Sequence, residues 1–268
     1  MKDAVAHSVT LGDADGAARV VFIHGFMGAP QDWSTVAAGL GHPAMGIAIP
    51  GHAGAPPLPP GADFATVASA VLAALEAAPI APRPVLVGYS MGGRLALYLA
   101  LRAPERFAGV VIESATAGLA APHAREARAA HDDALAAELE SLATPEAFRD
   151  FLEGWYSRPP FETLTDADRA SLVVKRGVNL PRGLAAAVRA LSVGRQPNLW
   201  PEIPGLQVPV LAICGERDQK YRQIAEEMAA ASPRIAMQVM ASCGHNIHFE
   251  HPDAYTTVLQ GFIDGVLA

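Results

Sequence analysis

The chain has 268 residues and a formal charge of −7 at pH 7, long enough to bury a substantial core in one large α/β domain or two small ones. Hydrophobic residues make up 51% and charged residues 18%, which excludes a disordered chain. The acidic balance argues against nucleic acid or an anionic membrane as a partner. No stretch approaches the roughly 18 uninterrupted apolar residues of a membrane span. The start, MKDAVAHSVT, has no secretory pattern. Cys214 and Cys243 are too few for a disulfide framework. These features predict a cytoplasmic protein.

In chain order, Val5 to Leu11 and the turn Asp13-Ala14-Asp15-Gly16 read as an edge hairpin. Short apolar runs rich in β-branched residues then alternate with helical stretches, the pattern of a mostly parallel sheet. The runs are Arg19 to Ile23, Ala44 to Ile49, Pro84 to Val87, Gly109 to Ile112, Val208 to Ile213 and Ile235 to Met240. Each ends at a small or turn-forming residue, and in open parallel sheets ligands bind beyond such ends. Residues 118–200 break the alternation and read as helical throughout. Thr144-Pro145-Glu146 is a helix start, with Thr as cap and Pro in the first turn. Phe148, Phe151, Leu152, Trp155 and Tyr156 follow on one face. Thr165 with Asp168 resembles a capping box, and Asn179 with Pro181 reads as a further start. The segment 118–200 is expected to be a helical lid inserted into a core made of 1–117 and 201–268, because the sheet needs its final two strands.

Gly88-Tyr89-Ser90-Met91-Gly92 fits G-x-S-x-G, between a buried strand and the helix that begins near Gly93. A sharp strand-to-helix turn there exposes a serine hydroxyl, and the flanking glycines leave room for it. The acid and then the histidine should follow at the ends of later strands. Asp218, in Cys214-Gly215-Glu216-Arg217-Asp218, and His245, in Gly244-His245-Asn246, occupy those places. The expected fold is therefore the α/β-hydrolase fold, with Ser90, Asp218 and His245 as a catalytic triad. Glu216 and Glu113 compete for the role of the acid. Among nine histidines, His248 and His251 lack the glycine-flanked position, and His24 reads as a loop support. The loop His24-Gly25-Phe26-Met27-Gly28 is expected to supply an oxyanion donor, the N–H of Phe26, beside that of Met91. No spacing suggests a metal site and no glycine loop a nucleotide, so no cofactor is expected.

Arg94 lies one helical turn after Ser90, where a cation opposes the helix dipole. Its placement suggests an anion above it, or else an ordinary surface ion pair. From His24-Gly25-Phe26 to His245-Asn246-Ile247-His248 the chain resembles the menaquinone-pathway family MenH, the 2-succinyl-6-hydroxy-2,4-cyclohexadiene-1-carboxylate synthases. Trp155-Tyr156, Pro159, Phe161, Arg176, Asn179, Ser192 and Gln196-Pro197 carry the resemblance through the lid. Its most specific piece is Cys214-Gly215-Glu216-Arg217-Asp218-Gln219-Lys220. The resemblance implies a lyase that eliminates pyruvate from a small tricarboxylate, with Arg94, Arg128 and Arg176 anchoring carboxylates and Tyr89 and Trp155 lining the pocket. Arg125 lies one turn from Arg128 and is its alternative, and Trp155 also fits a packing role. The same triad would serve a carboxylesterase, thioesterase or C–C hydrolase, and a silent binding module is the remaining alternative.

Overall fold

A computed structural model describes residues 6–12, 15–52 and 54–268. Strand β1 (His7–Leu11) is followed by β2 (Ala18–Ile23), α1 (Ser34–Gly39), β3 (Ala44–Ala48) and α2 (Phe64–Ala77). Next come β4 (Ile80–Tyr89), α3 (Met91–Arg102) and β5 (Gly109–Glu113). Four helices then run without a strand between them: α4 (Pro122–Ser141), α5 (Pro145–Tyr156), α6 (Asp166–Arg176) and α7 (Pro181–Ala190). The chain closes with β6 (Val210–Gly215), α8 (Gln219–Ala231), β7 (Ile235–Met240), α9 (Ile247–Glu250) and α10 (Pro252–Leu267). The sheet order is β1-β3-β2-β4-β5-β6-β7, parallel throughout except for β1.

Alternation along each strand builds two cores. Val20, Phe22, Val85, Val87 and Val111 face α1 and α10, where Trp33, Val36, Tyr255 and Leu259 pack. Val21, Ile23, Leu86, Val110 and Ile112 face α2, α3 and α8 through Val67, Val71, Leu95, Leu99 and Met228. A third core lies among α4–α7, with Leu139, Phe148, Leu152, Leu172 and Leu184 around Met27 of the β2 loop. These helices touch the sheet domain through backbone as well: a Cβ on Gly51 would lie 2.6 Å from the Gly183 carbonyl oxygen, and one on Gly183 would lie 2.5 Å from that of Gly51. Among the described residues no helix is long and apolar enough to cross a membrane.

Two expectations need correction. The hairpin does not form: β1 pairs antiparallel with β3, from His7 against Ala48 to Leu11 against Ala44. Both edges of β2 are taken, by β3 and β4, so the free edge left for β1 belongs to β3. Val5 and the turn residues Asp13 and Ala14 lie outside the described residues. Asn179 does not cap α7, whose N-cap is Leu180 without a side-chain bond. Its amide donates instead to the carbonyl oxygens of Met27, at 2.8 Å, and Arg176. The starts at Thr144 and Thr165 form as expected, the second as a capping box with Asp168.

The chain turns back on itself between β2 and β4. It runs outward from β2 to β3, then returns to the far side of β2 and continues to β7. The carboxyl ends of β2 and β4 flank this switch point, where an α/β sheet opens a crevice for a ligand.

Candidate active site

Strand β4 passes into α3 through Ser90, whose backbone has φ 49° and ψ −105°. A non-glycine residue rarely adopts that conformation, and such strain persists only where the surroundings hold it. Here they do. A Cβ on Gly88 would lie 2.4 Å from the Gly92 carbonyl oxygen, and one on Gly92 would lie 2.3 Å from that of Ile23. The Ser90 N–H is fastened to the Glu113 carbonyl oxygen at 2.8 Å. Ser90 and Met91 line a cavity of about 630 Å³ between the strand ends and α4, α5 and α7.

Asp218 follows β6 and caps α8, accepting the Tyr221 N–H. His245 follows β7. Its Nδ1–H donates to Asp218 Oδ2 at 2.6 Å, which leaves Nε2 to accept from the Ser90 hydroxyl at 3.3 Å. Asp218 and His245 are both buried, so their hydrogen bond is little diluted by solvent. The structure thus brings Ser90, His245 and Asp218 into one chain of hydrogen bonds, the arrangement in which a histidine takes a serine proton while a carboxylate fixes its tautomer. The two competing acids are occupied elsewhere. Glu216 accepts the Ser242 N–H at 2.9 Å, and Glu113 holds His248.

The loop after β2 brings Phe26 onto the cavity. Met91 is the first residue of α3, so its N–H has no partner inside the helix. Met27 has φ 62°, and its carbonyl is held by Asn179. His24 braces this loop, with Nδ1–H donating to the Gly25 carbonyl oxygen at 2.8 Å and Nε2 accepting the Ile49 N–H at 3.0 Å. Burial pulls His24 from 6.5 down to about 4 and pushes the neighbouring His52 well below its ordinary value. Between those two pH values the unfolded chain binds protons that the folded chain refuses. Stability is therefore full above pH 6.5 and falls on acidification, by about 3 kcal/mol at pH 4 from His24 alone. Urea unfolding across that range should show the fall, and His24→Asn should make it shallower by that amount while leaving the part that comes from His52.

The cations divide. Arg94 is 6% exposed, and its side chain makes one hydrogen bond, from Nη1 to Gln196 Oε1 at 3.1 Å. It forms no ion pair among the described residues, so the surface-pair alternative fails. Burial pulls its guanidinium down to about 10, still charged at pH 7. Arg128 lines the same cavity and donates through Nε to Asp132 at 2.8 Å, with its side chain 38% exposed. Its alternative, Arg125, does not line the cavity. Nor does Arg176, contrary to expectation. That guanidinium is buried against Asp32, at 2.6 and 2.7 Å, with the Tyr156 hydroxyl on Nε at 3.2 Å. Tyr89 and Trp155 both line the cavity. Trp155 also packs edge-on against Phe26, with ring centroids 5.8 Å apart, so its packing role is formed.

Two cavity residues receive no role from the sequence, although the first of them closes the segment that carries the resemblance most specifically. Lys220 and Tyr221 stand in the first turn of α8, directly after the acid, and Tyr221 sets its ring 4.7 Å from that of His245. For Tyr221, which lies just past that segment, the clue is its distance from Asp218 in the sequence, since a helix beginning at the acid turns its first residues toward the strand ends.

The profile of the alpha/beta hydrolase family matches residues 20–258. The 2-succinyl-6-hydroxy-2,4-cyclohexadiene-1-carboxylate synthase of Salmonella agona (strain SL483) is 35% identical over 247 residues, covering 92% of this chain and 94% of that protein. The protein of the same name from Serratia proteamaculans (strain 568) is 32% identical, over 91% and 92%. Among solved structures, MenH from S. aureus superposes with a TM-score of 0.86 at 26% identity, covering 98% of this chain and 99% of that one.

Proposed function

The chain belongs to the alpha/beta hydrolase family and, within it, to the 2-succinyl-6-hydroxy-2,4-cyclohexadiene-1-carboxylate synthases, and from this we propose that it eliminates pyruvate from 2-succinyl-5-enolpyruvyl-6-hydroxy-3-cyclohexene-1-carboxylate. The product is 2-succinyl-6-hydroxy-2,4-cyclohexadiene-1-carboxylate, an intermediate of menaquinone biosynthesis. The observation that carries this reading is Arg94: a nearly buried cation on a cavity wall, one helical turn from Ser90, that forms no ion pair among the described residues, since the nearby Asp132 is bound by Arg128 and Ser192. Burying such a charge unpaired is costly, and a substrate carboxylate removes the cost.

In this mechanism His245 draws the proton from Ser90, and the serine oxygen removes a ring proton from the substrate. As that C–H bond breaks, negative charge develops toward the succinyl ketone. The N–H groups of Phe26 and Met91 receive it. The new ring double bond forms as the C–O bond to the enolpyruvyl group breaks, and pyruvate departs with a proton returned through His245. Asp218 keeps Nε2 of His245 free of hydrogen and stabilises the imidazolium. Arg94 and Arg128 hold carboxylates, with Tyr89 and Trp155 against the ring. Residues 118–200 act as a lid that keeps water from the developing enolate.

The direct test is pyruvate release from the purified tricarboxylate, read by a coupled dehydrogenase. Arg94→Met should lower kcat/KM for that reaction by about 10- to 10²-fold, the worth of one or two charge-assisted hydrogen bonds. Hydrolysis of a neutral aryl ester should be unaffected by the change. Equal loss on both substrates would remove the carboxylate role from Arg94, and fast ester turnover without pyruvate release would make the enzyme a hydrolase.

A further inference from the structure

The loop that carries His245 is gripped by two carboxylates with no part in the chemistry above. Glu113, the last residue of β5, is fully buried. Its Oε1 accepts the N–H groups of Ile247 at 2.7 Å and His248 at 3.2 Å, while its Oε2 accepts Nδ1–H of His248 at 2.8 Å. From the other side, Glu250 accepts the N–H groups of Gly244 at 3.0 Å and Asn246 at 3.2 Å. Every backbone N–H from Gly244 to His248, other than that of His245 itself, thus ends on a carboxylate. His248 is in turn fixed in place, its ring stacked on Trp33 at 4.0 Å and met edge-on by Tyr89 at 4.9 Å.

Glu113 also reaches the other half of the site. Its carbonyl oxygen takes the Ser90 N–H at 2.8 Å, so its main chain ties down the elbow while its side chain ties down the histidine loop. The side chains carried by those two tied segments meet across the 3.3 Å from Ser90 Oγ to His245 Nε2. We propose that Glu113 is a positioning residue: through its buried bonds to the Ile247 and His248 N–H groups and to the His248 ring it sets the reach of His245 to Ser90. Asp218 governs the tautomer of the imidazole, and Glu113 governs where its backbone stands. Charge-assisted bonds to a buried carboxylate are short and stiff. A misplacement of about 1 Å at a reacting pair costs up to roughly 10²-fold in rate.

This inference rests on the Ser90–His245 pair and not on the identity of the substrate. Its test therefore uses a probe that needs an activated serine alone, the rate at which a fluorophosphonate labels Ser90. Glu113→Asp keeps the charge but draws the carboxylate back by one methylene, and should slow labelling by about 10- to 10²-fold. In the pyruvate assay the same variant should lose kcat, with KM changed by less than about twofold. Glu113→Gln, which keeps an acceptor for the two N–H groups, should recover most of the loss. If Glu113→Asp fails to fold, Glu250→Ala tests the same grip from the half-exposed side, with a loss of about tenfold expected. Folded Glu113→Asp, or Glu250→Ala in its place, labelling at the wild-type rate would overturn the proposal. So would a wild-type chain that is not labelled at Ser90. Normal labelling without pyruvate release would overturn the substrate reading and leave this one standing.

Discussion

Ser90→Ala is expected to lower pyruvate release by about 10³- to 10⁴-fold, the upper range for loss of a positioned general base. His245→Ala should cost about as much. The two groups act as one unit through the 3.3 Å hydrogen bond, so the double variant should be little worse than either single one. Alanine retains the backbone of the elbow, and the Ser90 N–H stays fastened to Glu113, so KM should change far less than kcat. Asp218→Asn would leave the shape intact but donate a hydrogen to Nδ1, forcing the ring proton onto Nε2 and removing the base. The assay is single-turnover pyruvate formation. Near-normal turnover by Ser90→Ala would mean that another group removes the ring proton.

The parts of this site legible in the sequence are those where local geometry restricts residue choice. The elbow is one: a strained serine between crowded strand and helix admits only glycine at 88 and 92, and that pattern is visible without a structure. Asp218 and His245 are legible because parallel topology places every strand end on one edge, so a polar residue after a buried run has few destinations. Arg94 follows from helical spacing. Arg176 is expected on the cavity from the family resemblance alone, and a resemblance in sequence says nothing about which partner a long side chain finds. Its counter-ion, Asp32, lies 144 positions away, in a turn whose sequence shows no special pattern. The pairing of β1 failed for the same reason. A hairpin is the local solution, but β2 had no edge to offer once β3 and β4 had claimed both. Glu113 shows a subtler limit. Its position at a strand end suggested the acid of the triad, and only the placement of His248 diverts it.

Arg176→Met should be strongly destabilising, by breaking a buried ion pair. Arg176, at the end of α6, and Asp32, in the turn before α1, are both largely buried, with side chains 5% and 11% exposed. Burial pushes the Asp32 carboxyl upward, but Arg176 outweighs it and holds the group below the usual carboxylate range. Removing the arginine strands that carboxylate with the Ala29 N–H as its remaining partner among the described residues. Breaking a buried pair in this way costs about 3–5 kcal/mol, which lowers the melting midpoint by roughly 10 °C for a chain of this size. The pH dependence supplies a second reading. With the pair intact, the contribution of Asp32 is full above about pH 4 and is lost as pH falls through its lowered folded value. In Arg176→Met burial is no longer outweighed, with the Ala29 N–H left as the bond opposing it, so the folded value rises and acidification toward pH 4 should narrow the gap between variant and wild type. Replacing both partners, Asp32→Leu with Arg176→Met, should restore much of the stability at pH 7. If Arg176 instead served the substrate, the single variant would melt near the wild-type midpoint and show its loss in KM. The two outcomes are separable in one preparation, and the first follows from a guanidinium whose hydrogen bonds run to Asp32 and Tyr156 and not to the cavity.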